Sequence, residues 1–170
     1  MAITLADKYY LKALNDYPYE LEEVIENLHY ALSYDEEHAG ANFLMGKLYM
    51  EEFKNFDMAE EYFIAAMAAD PENVDTCESF TWLLIKTNRL KEALKLIKHT
   101  HSLKGIVSAQ VLCTEALVYE LMKDFRKAVA LLNKAIEESY DCAYSEFLEE
   151  ELTRVERKLQ RTRTINYYMT

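Results

Sequence analysis

The side chains of this 170-residue chain that could do chemistry are four histidines, three cysteines and several runs of adjacent carboxylates. His99 and His101 stand two apart beside Lys98 and Lys104. A metal site built on them needs further Cys, His or carboxylate ligands at suitable positions, and without a third ligand the pair reads as a solvated turn. His29 and His38 stand alone. Glu22/Glu23, Glu51/Glu52, Glu60/Glu61 and Glu149/Glu150/Glu151 are neighbours in sequence. On a helix, adjacent side chains point about 100° apart and cannot share a substrate atom. Only three glycines are present, and there is no Gly-rich phosphate loop, nucleophile elbow or His-Glu-x-x-His motif. Cys77, Cys113 and Cys142 are odd in number and lack Cys-x-x-Cys spacing, so no disulfide framework is expected. The chemistry these residues support is recognition by shape and charge, with no catalytic residue, metal or cofactor expected.

Charge is unevenly spread. Residues 1–78 hold 4 Lys and Arg against 18 Asp and Glu, a net of −14, and residues 79–134 hold 10 against 4, a net of +6. Residues 135–151 carry seven acids and no base, whereas 152–170 carry five bases and one acid, bringing the chain to −11. The acidic half should repel nucleic acid and attract basic partners. Hydrophobic residues make up 51%, enough to bury a core, and the length fits a single domain over 1–170. The N-terminus lacks a basic segment followed by an apolar run, and no stretch approaches 18 apolar residues, so a cytoplasmic, soluble protein is expected.

The elements that must position any binding side chain are helices. Only two prolines interrupt the chain, Pro18 and Pro71, both at expected helix boundaries. A small or short residue followed three later by a large one recurs as Gly46/Tyr49, Thr81/Leu84 and Ala116/Tyr119. A small-large-small triplet follows each: Ala59/Phe63/Ala66, Ala93/Ile97/Thr100 and Ala128/Leu132/Ala135, with an earlier copy at Val24/Leu28/Ala31. The spacing is 34 or 35 residues, and a two-helix unit at that period means a repeat array. The expected units span about 5–38, 39–73, 74–107 and 108–141, each a helix A, a turn and a helix B, with a capping helix and tail over 142–170. Helix A and helix B are expected over Leu5 to Asp16 and Tyr19 to Tyr34, Ala39 to Glu52 and onward to Asp70, Asp75 to Thr87 and Leu90 to Thr100, then within Ser108 to Glu138. In the first unit Leu11 occupies the small position, which suggests a shifted helix using Ala13 instead. In the capping helix, expected over Ala143 to Arg161, Glu151 and Arg154 stand where small and large residues would recur.

These residues and their spacing resemble the tetratricopeptide repeat, whose pattern is W-x2-L-G-x2-Y, then A-x3-F, then P. The resemblance implies an all-α, right-handed helix-turn-helix solenoid of three to four repeats plus a C-terminal capping helix, about nine helices in all. It also implies a non-enzymatic module that holds another protein, as an adaptor, scaffold or chaperone-like binder. In the family the A helices line a concave surface, presenting residues six, three and two before the small position and one after it. Carried over, these are Gly40, Phe43, Leu44 and Lys47; Asp75, Glu78, Ser79 and Trp82; and Gln110, Cys113, Thr114 and Leu117. The first unit would add Leu5, Lys8, Tyr9 and Lys12. The partner-binding set is then Phe43, Leu44, Lys47, Asp75, Glu78, Ser79, Trp82, Gln110, Thr114 and Leu117.

Exposed aromatics beside Asp75 and Glu78 suit an amphipathic helix or extended segment bearing apolar residues and a Lys or Arg. The family's clamp for acidic chaperone tails uses Lys, Asn, Asn, Lys and Arg. Here those positions read Phe43, Lys47, Ser79, Gln110 and Thr114, of which only Lys47 agrees, and an acidic tail would meet Asp75 and Glu78, so it is rejected as partner. In length, acidity and repeat number the chain is also similar to small tetratricopeptide chaperones of bacterial secretion systems. A reading of another class, a nucleic-acid surface over residues 86–104, rests on Lys86, Arg89, Lys91, Lys95, Lys98 and Lys104. Lys91, Lys95 and Lys98, however, follow the outer-face spacing of an amphipathic helix opposite Leu90, Ala93, Leu94 and Ile97. The C-terminal bases Arg154, Arg157, Lys158, Arg161 and Arg163 could dock on an acidic surface of this chain, another copy or a partner.

Overall fold

The computed structural model describes residues 3–103 and 109–168, with side chains through Thr162. Lys104 of the basic set therefore lies outside the described residues. Among these residues there are nine α-helices and no strand: α1 (Leu5–Asp16), α2 (Leu21–Tyr34), α3 (Ala39–Glu51), α4 (Phe56–Ala69), α5 (Val74–Lys86), α6 (Leu90–Ser102), α7 (Ala109–Leu121), α8 (Phe125–Glu138) and α9 (Cys142–Tyr168). The expected helices are all present, with ends that agree within about two residues except in α9, which continues past Arg161. The chain divides into two compact units, residues 1–87 with α1 to α5 and residues 88–170 with α6 to α9.

Local chemistry sets the boundaries. The Thr4 hydroxyl accepts from the Asp7 N–H at 3.0 Å, and the Asp7 carboxylate accepts from the Thr4 N–H at 2.7 Å, a reciprocal cap on α1. Asn55, Asn73 and Asp124 cap α4, α5 and α8 through their side-chain oxygens. His38 caps α3, its Nδ1 accepting from the Ala41 N–H at 3.0 Å while Nε2 lies 3.2 Å from Asp7. It does not stand alone, as the sequence had suggested. Lys54, Asn88 and Lys123, spaced 34 and 35 apart, share a left-handed backbone with φ of 53°, 60° and 64°. Asn tolerates that conformation better than Lys does.

In the first unit, Val24, Leu28 and Ala31 of α2 point into a core shared with Ala13, Ala41, Leu44, Met45 and Leu48. A second cluster joins Met50, Ala59, Phe63 and Leu83. Gly46 is where α3 and α4 approach: a Cβ there would lie 2.8 Å from two carbons of the Phe63 ring, which is fully buried. Thr81 occupies the corresponding place in α5 and is buried with its hydroxyl donating to the Cys77 carbonyl at 2.8 Å, so its polar atom is satisfied within the helix. The first-unit register is the shifted one. Ala13 is buried, whereas Leu11 is 50% exposed.

In the second unit, Ala128, Leu132 and Ala135 of α8 pack with Leu112 and Ala116 of α7 and with Leu148 and Val155 of α9. Ala93, Ile97 and Thr100 of α6 are buried. His101 lies in α6 rather than in a turn, its Nε2 3.0 Å from Oε2 of Glu115 on α7. The anchor of α9 is polar. Glu120 on α7 is only 7% exposed and accepts from Arg154 Nη1, from Arg154 Nη2 at 2.7 Å and from Lys158 Nζ at 2.5 Å. Arg154 Nη2 also donates to Glu151 at 2.6 Å. Glu151 and Arg154, which break the small-large pattern, thus form the α7–α9 contact by charge. Burial would push the Glu120 carboxyl upward, but hydrogen bonds from Arg154 and Lys158, with their charges, hold it below its usual value.

Two stability outcomes follow from these contacts. Gly46→Ala gains about 1 kcal/mol of helix propensity but overpacks Phe63 at a cost of about 1–3 kcal/mol. The expected net loss is about 1 kcal/mol in urea unfolding, and it should shrink when Phe63→Leu makes room. Arg154→Ala is expected to cost about 1–2 kcal/mol, less than a fully buried pair would, because the Arg154 side chain is 40% exposed and Lys158 remains. Glu120 has a depressed folded pKa, so its contribution is complete above the ordinary carboxyl value of 4.5 and is lost as pH falls through the lowered one. The gap between wild type and Arg154→Ala should therefore narrow in acid unfolding.

Candidate functional site

Within the first unit, α3 neighbours both α1 and α5, so these three A helices present one continuous side. Its centre is set by Gly40. A Cβ at that position would lie 2.7 Å from the Tyr10 ring, so the missing side chain is what lets Tyr10 of α1 lie across the start of α3. Tyr10 also packs on the His38 ring with centroids 5.0 Å apart. Burial raises the Tyr10 pKa, and the charge of Asp75, in the first turn of α5, adds to the rise.

Around that centre stand the side chains expected from the repeat register. Phe43 is half-buried, with its ring centroid 6.4 Å from that of Phe63 behind it. Lys47 stretches over two rings, its Nζ 5.4 Å from the Tyr17 centroid and 6.0 Å from that of Phe43. The Tyr17 hydroxyl donates to Glu51 at 3.0 Å; burial and then that bond leave its pKa pushed up to about 12. On α5, Asp75 is exposed, Glu78 and Ser79 are half-buried, and Trp82 is 42% exposed. Burial, followed by repulsion from Asp75, raises the Glu78 pKa. Neither carboxylate has an ion-pair partner among the described residues.

Leu44 is placed differently. It is 3% exposed and belongs to the core behind this side, so it supports Phe43 and Lys47 and offers no surface of its own. The register shift also corrects the contribution of α1. Tyr9 turns toward α2, where its ring meets Tyr30 at 5.1 Å and Tyr34 at 5.8 Å, with Lys12 above it. Tyr10, Leu11 and Leu14 take the place expected for Lys8, Tyr9 and Lys12. The signal for this was Ala13, thirty-three residues before Gly46, together with Gly40, whose lack of a side chain needs a bulky neighbour.

Gln110, Thr114 and Leu117 lie on α7 in the second unit, with Gln110 exposed and the other two half-buried. Thr114 donates to the Gln110 carbonyl at 3.0 Å. Lys91, Lys95 and Lys98 form the solvent face of α6, opposite buried Ala93 and Ile97. Among the described residues no group of three or more His, Cys, Asp or Glu could hold a metal, and no helix is long and apolar enough to cross a membrane.

A tetratricopeptide-repeat family model matches residues 39–73 and 109–142. Solved structures with similar architecture include PilF of Pseudomonas aeruginosa, 20% identical with a TM-score of 0.76, over 94% of this chain and 72% of that one. PilW, a type IV pilus biogenesis factor, is 17% identical with a TM-score of 0.78, over 98% of this chain and 76% of its own. MamA from Desulfovibrio magneticus RS-1 is 14% identical with a TM-score of 0.71, over 98% of each chain. No curated protein sequence gives a significant match. These two segments match the tetratricopeptide repeat within an all-α fold that those solved structures share, and that fold suggests a protein–protein interaction module.

Proposed function

We propose that this chain is a tetratricopeptide-repeat protein acting as a non-enzymatic adaptor or chaperone-like holder that binds a segment of another protein on the α1/α3/α5 side of its first unit. The segment is apolar and carries Lys or Arg. The observation that carries this reading is the pairing of Asp75 with Glu78: two carboxylates with no ion-pair partner among the described residues, one of them half-buried, beside the exposed Trp82. A partly desolvated carboxylate repelled by its neighbour gains from an arriving cation, and Trp82 and Phe43 offer rings on which an apolar side chain or a guanidinium can lie. Lys47 and Ser79 then border the segment. Gln110, Thr114 and Leu117 are proposed as contacts of the second unit in their own right. The cytoplasm is the proposed location. PilW is a type IV pilus biogenesis factor, and a holding role of that general kind, in assembly, is compatible with this reading.

The test is selection of displayed random peptides on the full chain, counter-screened on Phe43→Ala/Trp82→Ala with helix content checked by circular dichroism. Peptides combining aromatic or aliphatic residues with Lys or Arg should emerge, and their affinity should fall about tenfold or more on the variant. Enrichment of acidic peptides, or equal binding to both proteins, would sink the proposal. Glu78→Gln should weaken the same peptides while slightly raising thermal stability, because the charged form is disfavoured in the folded state. For the wild type, affinity should drop as pH falls through the raised Glu78 value, above 4.5, and this pH step should be much reduced in Glu78→Gln.

A further inference from the structure

The second site with no assigned use is the outward side of α2, far along the helix surface from the residues that face the core. It holds an open depression of about 700 Å³ lined by Glu22, Ile25, Glu26 and Tyr30 among others. Its apolar wall is fixed: Ile25 packs against the core, and Tyr30 belongs to the ring cluster with Tyr9 and Tyr34. Its rim is acidic. Glu22 and Glu26 sit four residues apart, just over one helical turn and a rise of about 6 Å, and among the described residues neither has an ion pair. The Glu26 carboxylate accepts from the Tyr30 hydroxyl at 3.3 Å.

At the other end of the chain, α9 offers the matching geometry with opposite sign. Among its described side chains the last buried one is Val155. Arg154 and Lys158 are held by Glu120. Arg157 and Arg161, again four residues apart, are exposed and without an ion pair among the described residues. An Arg fork pairs with a carboxylate through two parallel hydrogen bonds, so two guanidiniums one turn apart fit two carboxylates one turn apart. The charge totals agree with this assignment, at −14 for residues 1–78 and +4 for 152–170.

We propose that the depression on α2 receives the Arg157/Arg161 end of α9 from a second copy of this chain. The contact joins two different patches, so it is heterologous: copies add head to tail, and the assembly grows with concentration instead of stopping at a two-fold dimer. The area is small, which makes the association weak and reversible. It is independent of the α1/α3/α5 side and leaves that side free.

Sedimentation velocity on the full chain over a concentration series tests this. The wild type should form species beyond a dimer as concentration rises. Glu22→Lys/Glu26→Lys and Arg157→Glu/Arg161→Glu should each raise the apparent dissociation constant about tenfold or more. Mixing the two variants should bring association back, because each mixed contact pairs opposite charges. A wild type that stays monomeric at ~1 mM, variants that associate like the wild type, or a mixture that does not recover would each overturn the proposal. All four positions are exposed, so the variants should keep wild-type helix content, and that content is measured alongside.

Discussion

The constraint on which the architecture rests is the close approach of one helix to the next at a position that has no room for a side chain. Gly46 against Phe63 is the clearest instance: the ring occupies the space a Cβ would take. The same trade recurs with Ala116 and the α8 triplet, and in the first unit with Ala13 against Val24, Leu28 and Ala31. Because each approach is local, each helix pair can form with its nearest neighbours and hand the next pair an equivalent surface. Packing of this kind fixes which side of every A helix is turned away from its partner. The candidate site is that leftover side, chosen by the core and decorated by charge.

This separation between framework and surface explains what the sequence made legible. Small-large-small triplets encode packing, so the helices could be read off nearly to their ends, and Phe43, Lys47, Asp75, Glu78 and Trp82 are left half-buried or exposed on α3 and α5. The reading slipped where packing did not repeat at the same interval. The turn from Asp16 to Glu20 carries Pro18 and ends in an N-cap without a side-chain bond. Across it the small residue sits at Ala13 rather than Leu11, which moved Tyr10 into the site and Tyr9 out of it. Leu44 shows the reverse case: its repeat position suggested surface, but the first-unit core takes it in.

The ionic root of α9 was illegible for a different reason. Glu120, Glu151, Arg154 and Lys158 look like ordinary solvent-facing charges in a polar helix, and only the approach of α7 to α9 reveals that one carboxylate is buried beneath two cations. Apolar periodicity carries no information about such a contact. The charge distribution along the chain hinted at it only in aggregate, since the acids of residues 135–151 give way to bases in 152–170.

The clamp on Glu120 also divides α9 into two lengths with different fates toward proteases. Up to Lys158 the helix is bonded to α7 and packed by Leu148 and Val155, so its backbone opens only when the unit does, and cleavage there must wait on unfolding. The exposed Arg161 lies past the last bond to Glu120. A trypsin-like enzyme should cut after Arg161 before it cuts within the clamped stretch, leaving a nearly full-length fragment that still folds but has lost Arg163.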